Sequence, residues 1–528
     1  MFALFKDVAG HDRTPRPSPA VLLLWAVAAF LAMAGLAGRV MGSPARTEAP
    51  PATASTAPAP AAAALAAPVE VSAPSGPTPQ IVARDSLGST PLSARIRAFG
   101  GLLLLAFLAW ACSVDRSRVH WRVVLWGIGL QLLFGAFILK TGLGEGIFGA
   151  LNDVVVALLG FTVEGARFVF GDLVYNNVPV GMAASGTNEV LQPLPDMAAH
   201  TGGYFAFNVL PTIIFFSSLM TVLYHLGIMQ WVVKGVAWVM VRTMRTSGAE
   251  TLSAAGNIFV GQTEAPLLVK PFVERMTSSE LMAVMTGGFS TVAGGVLAAY
   301  VGMLVAYFPD IAGHLMAASV MSAPAALVVA KLMVPEDGEP ETAGTLDIEV
   351  DKPDVNVIDA AARGASDGLG LALNVGAMLL AFIALVYLLN AVLGWMGGVV
   401  GFDGLTMEWL LGRLLWPVAW MVGVEAADAG TVASLLGVKT VLNEFVAYLQ
   451  LAGILGGEGG AALSPRSAVI ATYALSGFAN FSSIAVQLGG IGGIAPSRRH
   501  DLSRLGMRAM IAGTMAALMT AAVAGMLV

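Results

Sequence analysis

Hydrophobic positions along this chain gather in long runs separated by short polar stretches. Nearly charge-free runs cover residues 17–38, 98–114, 123–139, 202–224, 281–308, 315–330, 368–402, 467–497 and 509–528. A bilayer core of about 30 Å is crossed by about 20 apolar residues as helix, so these runs predict about nine membrane-spanning helices. Two further stretches, residues 225–280 and 403–466, stay mostly apolar but are broken by Gly, Pro and isolated charges. They read as amphipathic or re-entrant segments.

Composition agrees with the pattern. Charged residues make up 12% of the chain and hydrophobic ones 56%, against about 25% charged in ordinary soluble proteins. With a mean hydropathy of +0.76, the 528 residues form an integral membrane protein rather than a string of soluble domains. Lys and Arg number 28 against 34 Asp and Glu, a net charge of −6, so no basic excess suggests nucleic-acid binding. The single Cys112 excludes an intrachain disulfide framework, a Cys-rich zinc site and a CxxC redox centre.

Basic residues set the direction of the spans. They cluster at Lys6, Arg13 and Arg16, at Arg116, Arg118 and Arg122, at Lys234, Arg242 and Arg245, and at Arg498, Arg499, Arg504 and Arg508. All four clusters can be cytoplasmic if the interrupted segments return to the side they entered, which is the first reason to expect re-entrant hairpins. The N-terminus is then cytoplasmic if the first span is an uncleaved anchor, and the C-terminus is periplasmic. The Ala/Pro/Thr tract at residues 43–93 lacks the apolar variety to build a core and reads as a disordered external linker. The acidic residues 336–359 read as a solvated cytoplasmic loop. The chain thus divides into a membrane anchor or signal segment (1–42), a linker (43–97), an N-terminal transmembrane and scaffold region (98–247), a first re-entrant hairpin with its following helices (248–334), the acidic loop (335–366), and a second hairpin, unwound helix and C-terminal helix (367–528).

Two stretches share a layout, an interrupted segment with an acidic residue followed by a long span polar at its middle. The first is GNIFVGQTEAPLLVKPF (256–272) followed by GGFSTVAGGV (287–296); the second is GVKTVLNEFVAY (437–448) followed by SGFANFSSIA (476–485). Gly288-Phe289-Ser290-Thr291 aligns with Gly477-Phe478-Ala479-Asn480, and the span count gives the two units opposite orientation. Inverted repeats with broken helices near the midplane are a transporter signature. Gln262, Thr263, Glu264, Asn443, Glu444, Asn480, Ser482 and Ser483 fall at membrane depth, where an ionisable group is costly unless it is paired or faces a wet cavity. For Thr286, Asn374 and Gln131 a hydrogen bond between helices is sufficient explanation. Gly256, Gly261, Gly287, Gly288, Gly294, Gly295 and Gly477 permit unwound turns whose carbonyls, with Asn257 and Thr291, offer neutral hard oxygens suited to Na⁺.

At these residues the chain closely resembles the concentrative nucleoside transporters, Na⁺- or H⁺-driven nucleoside importers. The matching blocks are GNIFVGQTEAPLLVKPFVERM, GGFSTVAGGVLAAY, KTVLNEFVAYLQL and YALSGFANFSSIAVQLGGIGGIAP, with FAFNVLPTIIFFSSLMTVLYHLGIMQWVV similar to the family's scaffold span. The resemblance runs from about residue 98 to the C-terminus, and residues 1–97 depart from the simplest bacterial members. It implies an all-α polytopic membrane protein, an inverted-repeat transporter with two re-entrant hairpins and two partly unwound transmembrane helices, arranged as a scaffold plus a transport domain. It also implies a homotrimer in the cell inner membrane that imports nucleosides by alternating access. By the same resemblance Gln262, Thr263 and Glu264 look like nucleobase contacts, Glu444, Asn480 and Ser483 like ribose contacts, and Phe478 and Val296 like apolar walls. Asn257, Val260, Thr291 and Val292 match the family's sodium site.

The residue chemistry fits this assignment, since carboxylates accept ribose hydroxyls strongly and Glu264 and Glu444 would repel a phosphate. Na⁺ is favoured as the coupling ion by the neutral ligands; H⁺ is the alternative because both carboxylates could titrate. A passive channel, or an intramembrane hydrolase using Glu264 and Glu444 as acid and base, are the competing classes. The hydrolase lacks an activated nucleophile, and no enzyme is expected.

Overall fold

Charge-free runs become helices because a backbone in lipid must satisfy its own hydrogen bonds. The computed structural model describes residues 80–82, 90–175, 177–183, 190–200, 205–344, 354–399, 401–402, 404–457 and 462–528. Among the described residues 8 helices are long and apolar enough to cross a membrane. The anchor expected at residues 17–38 and the Ala/Pro tract lie outside the described residues.

Helices α1 (Leu92–Ala111) and α2 (Trp121–Lys140) match the runs at 98–114 and 123–139. Helix α3 (Gly142–Phe170) corrects the span list. Its Glu145, Asp153, Glu164 and Arg167 interrupt every long uncharged window, so a search by run length passes over it. It starts just beyond α2, and just past its far end the Val174 carbonyl accepts from the Asn208 side chain at 2.9 Å, ahead of α4 (Leu210–His225). Between α3 and α4 lies an antiparallel pair, β1 (Asn177–Ala183) and β2 (Val190–His200), so the fold is nearly rather than wholly helical.

Helix α5 (Ile228–Met244) leads to hairpin one, which is α6 (Gly248–Gly256) followed by the helical turns Ala265–Val269 and Lys270–Val273. The span expected at 281–308 is two helices, α7 (Ser278–Ser290) and α8 (Gly294–Leu304), then α9 (Ile311–Met333) and α10 (Val357–Val399). Capping boxes start α6, with Ser247 and Glu250, and α7, with Thr277 and Glu280. Helix α11 (Met407–Met421) precedes hairpin two, α12 (Ala429–Val441) and α13 (Glu444–Leu455). The run at 467–497 is again broken, into α14 (Pro465–Leu475) and α15 (Phe481–Ile494), before α16 (Arg499–Leu527).

Burial separates two layers. The hydrophobic window of α9 is 89% buried and that of α7–α8 is 83% buried, while α10 is at 17% and the α4 window at 22%. Helices α4 and α10 pair in the outer layer, and α1 and α2 pack on α9 and α16 of the core. Where α8 crosses α4, Gly295 has no side chain to offer; a Cβ there would lie 3.6 Å from the Ile213 carbonyl and 3.8 Å from the Ser217 amide.

The two broken helices run in opposite directions. At the end of α15, Arg498 donates to the carbonyls of Glu274 and Met276, beside the start of α7. At the end of α8, the Tyr307 carbonyl accepts from Val82 at 2.7 Å, while Gln80 donates through its amide to Leu455 at 2.8 Å and through its side chain to Leu463, just before α14. The repeat read from the sequence is thus antiparallel in space.

Three boundaries differ from expectation. The stretch read as linker is docked at its end, with Val82 fully buried, and α1 begins at Leu92 inside it. Helix α10 begins inside the stretch read as acidic loop. Of the described loop residues, Glu336 pairs with the buried Lys331 at 2.9 Å, Glu341 with Arg275 at 3.0 Å and Asp354 with Arg363, so they are not merely solvated.

Candidate functional site

Glu444 opens α13 at the tip of hairpin two, where the Asn443 side chain caps the helix by accepting from Val446 at 2.9 Å. The carboxylate is 4% exposed and both oxygens have donors: Tyr300 Oη to Oε1 at 2.9 Å and Asn480 Nδ2 to Oε2 at 2.9 Å. Asn480 in turn caps α15, its Oδ1 accepting from the Ser483 amide at 2.9 Å and the Ser482 hydroxyl at 2.7 Å. One asparagine therefore starts the second half of the broken helix and orients the carboxylate of the opposing hairpin.

At the tip of hairpin one, Gln262 reaches the same place. Its Nε2 donates to the Ser483 hydroxyl at 3.3 Å, and its Oε1 accepts from Gln487 Nε2 at 3.0 Å. Gln487 also donates to the Met285 carbonyl at 3.1 Å, which ties the amide of Gln262 to α7. Glu264 is exposed to the space between the layers.

All the residues expected to contact substrate line one cavity: Gln262, Thr263, Glu264, Val296, Glu444, Phe478, Asn480 and Ser483. Leu371, Val375 and Met378 of α10 close its outer wall. Gly261, Glu264, Ala293 and Leu371 also border a second cavity of about 370 Å³, which runs to Tyr224, His225, Gln230, Lys270 and the Asp354–Arg363 pair. Tyr300 and Gln487 were not singled out from sequence. The available signal was helical spacing, since Tyr300 lies one turn after Val296 and Gln487 one turn after Ser483, so each shares its neighbour's face.

The cation residues gather at the first break. Asn257 is fully buried and donates to the Ser253 carbonyl at 3.1 Å, but its Oδ1 has no partner. Thr291 caps the end of α7, its hydroxyl donating to the Gly287 carbonyl at 2.9 Å. Asn257 Nδ2 lies beside the same Gly287. Val260 and Val292 flank the crossing at which the Gly294 amide donates to the Phe259 carbonyl at 3.1 Å. An orphaned, fully buried amide oxygen beside a helix end fits a hard cation. Among the described residues no His, Cys, Asp or Glu group could hold a transition metal.

Of the glycines read as permitting unwound turns, Gly477 alone has a left-handed φ, 108°. The polar residues set aside as structural divide: Gln131 donates to Thr520 at 3.0 Å, the Thr286 hydroxyl is buried without a partner, and Asn374 is exposed on α10.

Comparison with known proteins places these features in context. Residues 100–173 match the model of the Na⁺ dependent nucleoside transporter N-terminus, residues 206–307 that of nucleoside recognition (Gate), and residues 314–525 that of the Na⁺ dependent nucleoside transporter C-terminus. The chain is 43% identical over 434 residues to an uncharacterized transporter of Haemophilus influenzae, covering 81% of this chain and 96% of that one. It is 42% identical over 441 residues to solute carrier family 28 member 3 of Mus musculus, covering 81% of this chain and 58% of the relative. It is 40% identical to sodium/nucleoside cotransporter 2 of Rattus norvegicus, of which it spans 62%. The chain thus spans less than two thirds of these mammalian relatives. Among solved structures it is similar to CNTnw in an inward-facing substrate-bound state, with TM-score 0.73, 41% identity and coverage of 82% of this chain and 98% of the other. A doubly substituted CNTnw in an outward-facing state gives TM-score 0.74 at 41% identity, with 83% and 99% covered.

Proposed function

The chain belongs to the Na⁺-dependent nucleoside transporter family, and from that premise we propose that it imports nucleosides by cation-coupled symport. The observation that carries the reading is the single cavity in which two acidic hairpin tips meet two broken helices. Glu444, held by Tyr300 and Asn480, keeps lone pairs for ribose hydroxyls; Gln262, Thr263 and Glu264 present donors and acceptors to a base; Phe478 and Val296 are flat and apolar walls. No Lys or Arg lines this cavity, and its two carboxylates disfavour a phosphate, so nucleosides rather than nucleotides are the substrate.

The coupling ion is Na⁺, held by Asn257, Val260, Thr291 and Val292. When bound it supplies positive charge to the end of α7, where a helix stops within the membrane. The unpaired Asn257 Oδ1 favours this over H⁺. The two layers support alternating access. The core with both hairpins moves as the transport domain against α4 and α10, the scaffold, alternately connecting the cavity to either side. The space that runs from Glu264 toward Lys270 and Arg363 serves as the cytoplasmic exit. Family membership supports a homotrimer in the inner membrane with the basic clusters cytoplasmic.

The test is uptake of radiolabelled uridine and adenosine into proteoliposomes with Na⁺ and proton gradients imposed separately. Accumulation above the external concentration under a Na⁺ gradient is expected. Flux that only equilibrates, whatever the gradient, would make the protein a channel.

A further inference from the structure

Lys439 lies buried in hairpin two, 1% exposed, and the reading above gives it no role. Its ammonium donates to the carbonyls of Ala474 at 3.0 Å and Ser476 at 3.3 Å. These oxygens belong to the end of α14, where a helix that stops inside the membrane leaves its last acceptors and the negative end of its dipole exposed. The neighbouring carbonyls are covered locally. That of Thr472 accepts from the Tyr448 hydroxyl at 2.7 Å and the Ser476 amide at 3.2 Å, and that of Tyr473 from the Ser476 hydroxyl at 2.7 Å. Lys439 covers those of Ala474 and Ser476.

The first break is built differently. Helix α7 also stops within the core, but the hairpin side chain that faces it is the neutral Asn257, with a buried oxygen left unpaired. In each repeat the residue in question precedes the acidic tip on the incoming arm: Asn257 before Glu264, Lys439 before Glu444. The two breaks also touch, for a Cβ on Gly477 would lie 2.8 Å from the Phe289 carbonyl and 2.9 Å from that of Ser290.

We propose that Lys439 is a tethered cation: at the second break its ammonium does what an exchangeable cation does at the first. It holds the segment from Ser476 to Asn480 unwound so that Asn480 and Ser483 face the nucleoside. It is a positioning residue and touches no substrate. The inference rests on the transport reading and extends it, since the chain then needs one exchangeable cation for two helix breaks.

The experiment titrates uridine and adenosine calorimetrically into the purified full chain across a series of Na⁺ concentrations, with thermal unfolding of nucleoside-free protein as the measure of folding. Lys439→Met, which keeps volume and loses charge, is expected to weaken nucleoside binding by about 10-fold or more at saturating Na⁺, whereas Lys439→Arg stays within about 3-fold of the parent. Lys439→Ser leaves room and an oxygen, so its binding is expected to return at high Na⁺ with a dependence that steepens from first toward second order. Equal binding by Lys439→Met and the parent overturns the proposal, as does a first-order Na⁺ dependence in Lys439→Ser. Misfolding of the substituted chains, with the parent intact, also overturns it by making the lysine a part of the fold rather than of the site. A parent that binds no nucleoside would sink the transport reading itself, whereas a binding parent with unaffected variants sinks only the tethered cation.

Discussion

Gly477 crosses Ser290 so closely that a Cβ on the glycine would lie 2.9 Å from the serine carbonyl. With φ at 108°, Gly477 is also in the left-handed region, so any side chain there is strained as well as crowded. Both broken helices depend on this crossing. Gly477→Ala is expected to lower stability by about 1–3 kcal/mol and to reduce nucleoside uptake by more than the loss of folded protein explains. Thermal unfolding and uptake per folded molecule check this, and parental values for both would remove the crossing from the mechanism.

Glu444→Gln is expected to spare the fold and impair the site. The amide keeps one acceptor, but its NH₂ would face a donor, whether Tyr300 Oη or Asn480 Nδ2. A loss of about 1–3 kcal/mol corresponds to about 10- to 100-fold weaker ribonucleoside binding. The penalty should shrink for a deoxynucleoside that lacks one of the hydroxyls. Unchanged uridine and adenosine affinity in the purified variant would exclude Glu444 from the site.

Asn257→Ala and Thr291→Ala each remove an oxygen at the first break and are expected to raise the Na⁺ concentration needed for half-maximal uptake. Nucleoside binding should recover at high Na⁺, because the ion and substrate sites are linked but distinct. Replacing Na⁺ by choline at fixed membrane potential is the control. Full parental uptake in choline, lost only when the proton gradient is discharged, would assign the coupling to H⁺.

Asp354 stands outside the membrane segments, and the hydrogen bonds from Arg363, at 2.5 and 2.7 Å, hold its carboxyl below the usual carboxylate range. A group depressed in the folded state stabilises it above its unfolded pKa, about 3.9. That contribution is lost as pH falls through the folded value. Asp354→Asn should therefore cost under about 1 kcal/mol, since Arg363 is 45% exposed. The cost should be level from pH 8 to 6 and fade only in acid. Thermal unfolding of both proteins from pH 8 down to about pH 3 checks the sign; a difference that grows in acid would refute it.

Much of this architecture is legible in the chain because lipid allows so few backbone solutions. Uncharged runs located α2 and α9 to within a few residues, and paired polar islands located both helix breaks. Run length failed for α3, whose four charges break its apolar stretch into windows too short to register as a span. Local motifs named the residues that line the cavity. They could not name their partners. Tyr300 meets Glu444 from 144 positions away, Gln487 meets Gln262 from 225, and Lys439 finds its carbonyls 35 and 37 positions on. Such contacts belong to the packing of hairpins on helices, which no short window contains.

The bare backbone of Gly295 against α4 bears on how such a machine can move. Interlocked side chains must climb over one another when helices shift, and each step is a barrier. Where one face is only backbone there is little to climb, so in the transport cycle proposed above the core would glide along α4 as a runner along a rail, stopping where ligands rather than ridges hold it. A bulky residue at this position would act as a brake, slowing turnover while leaving every ligand contact in place.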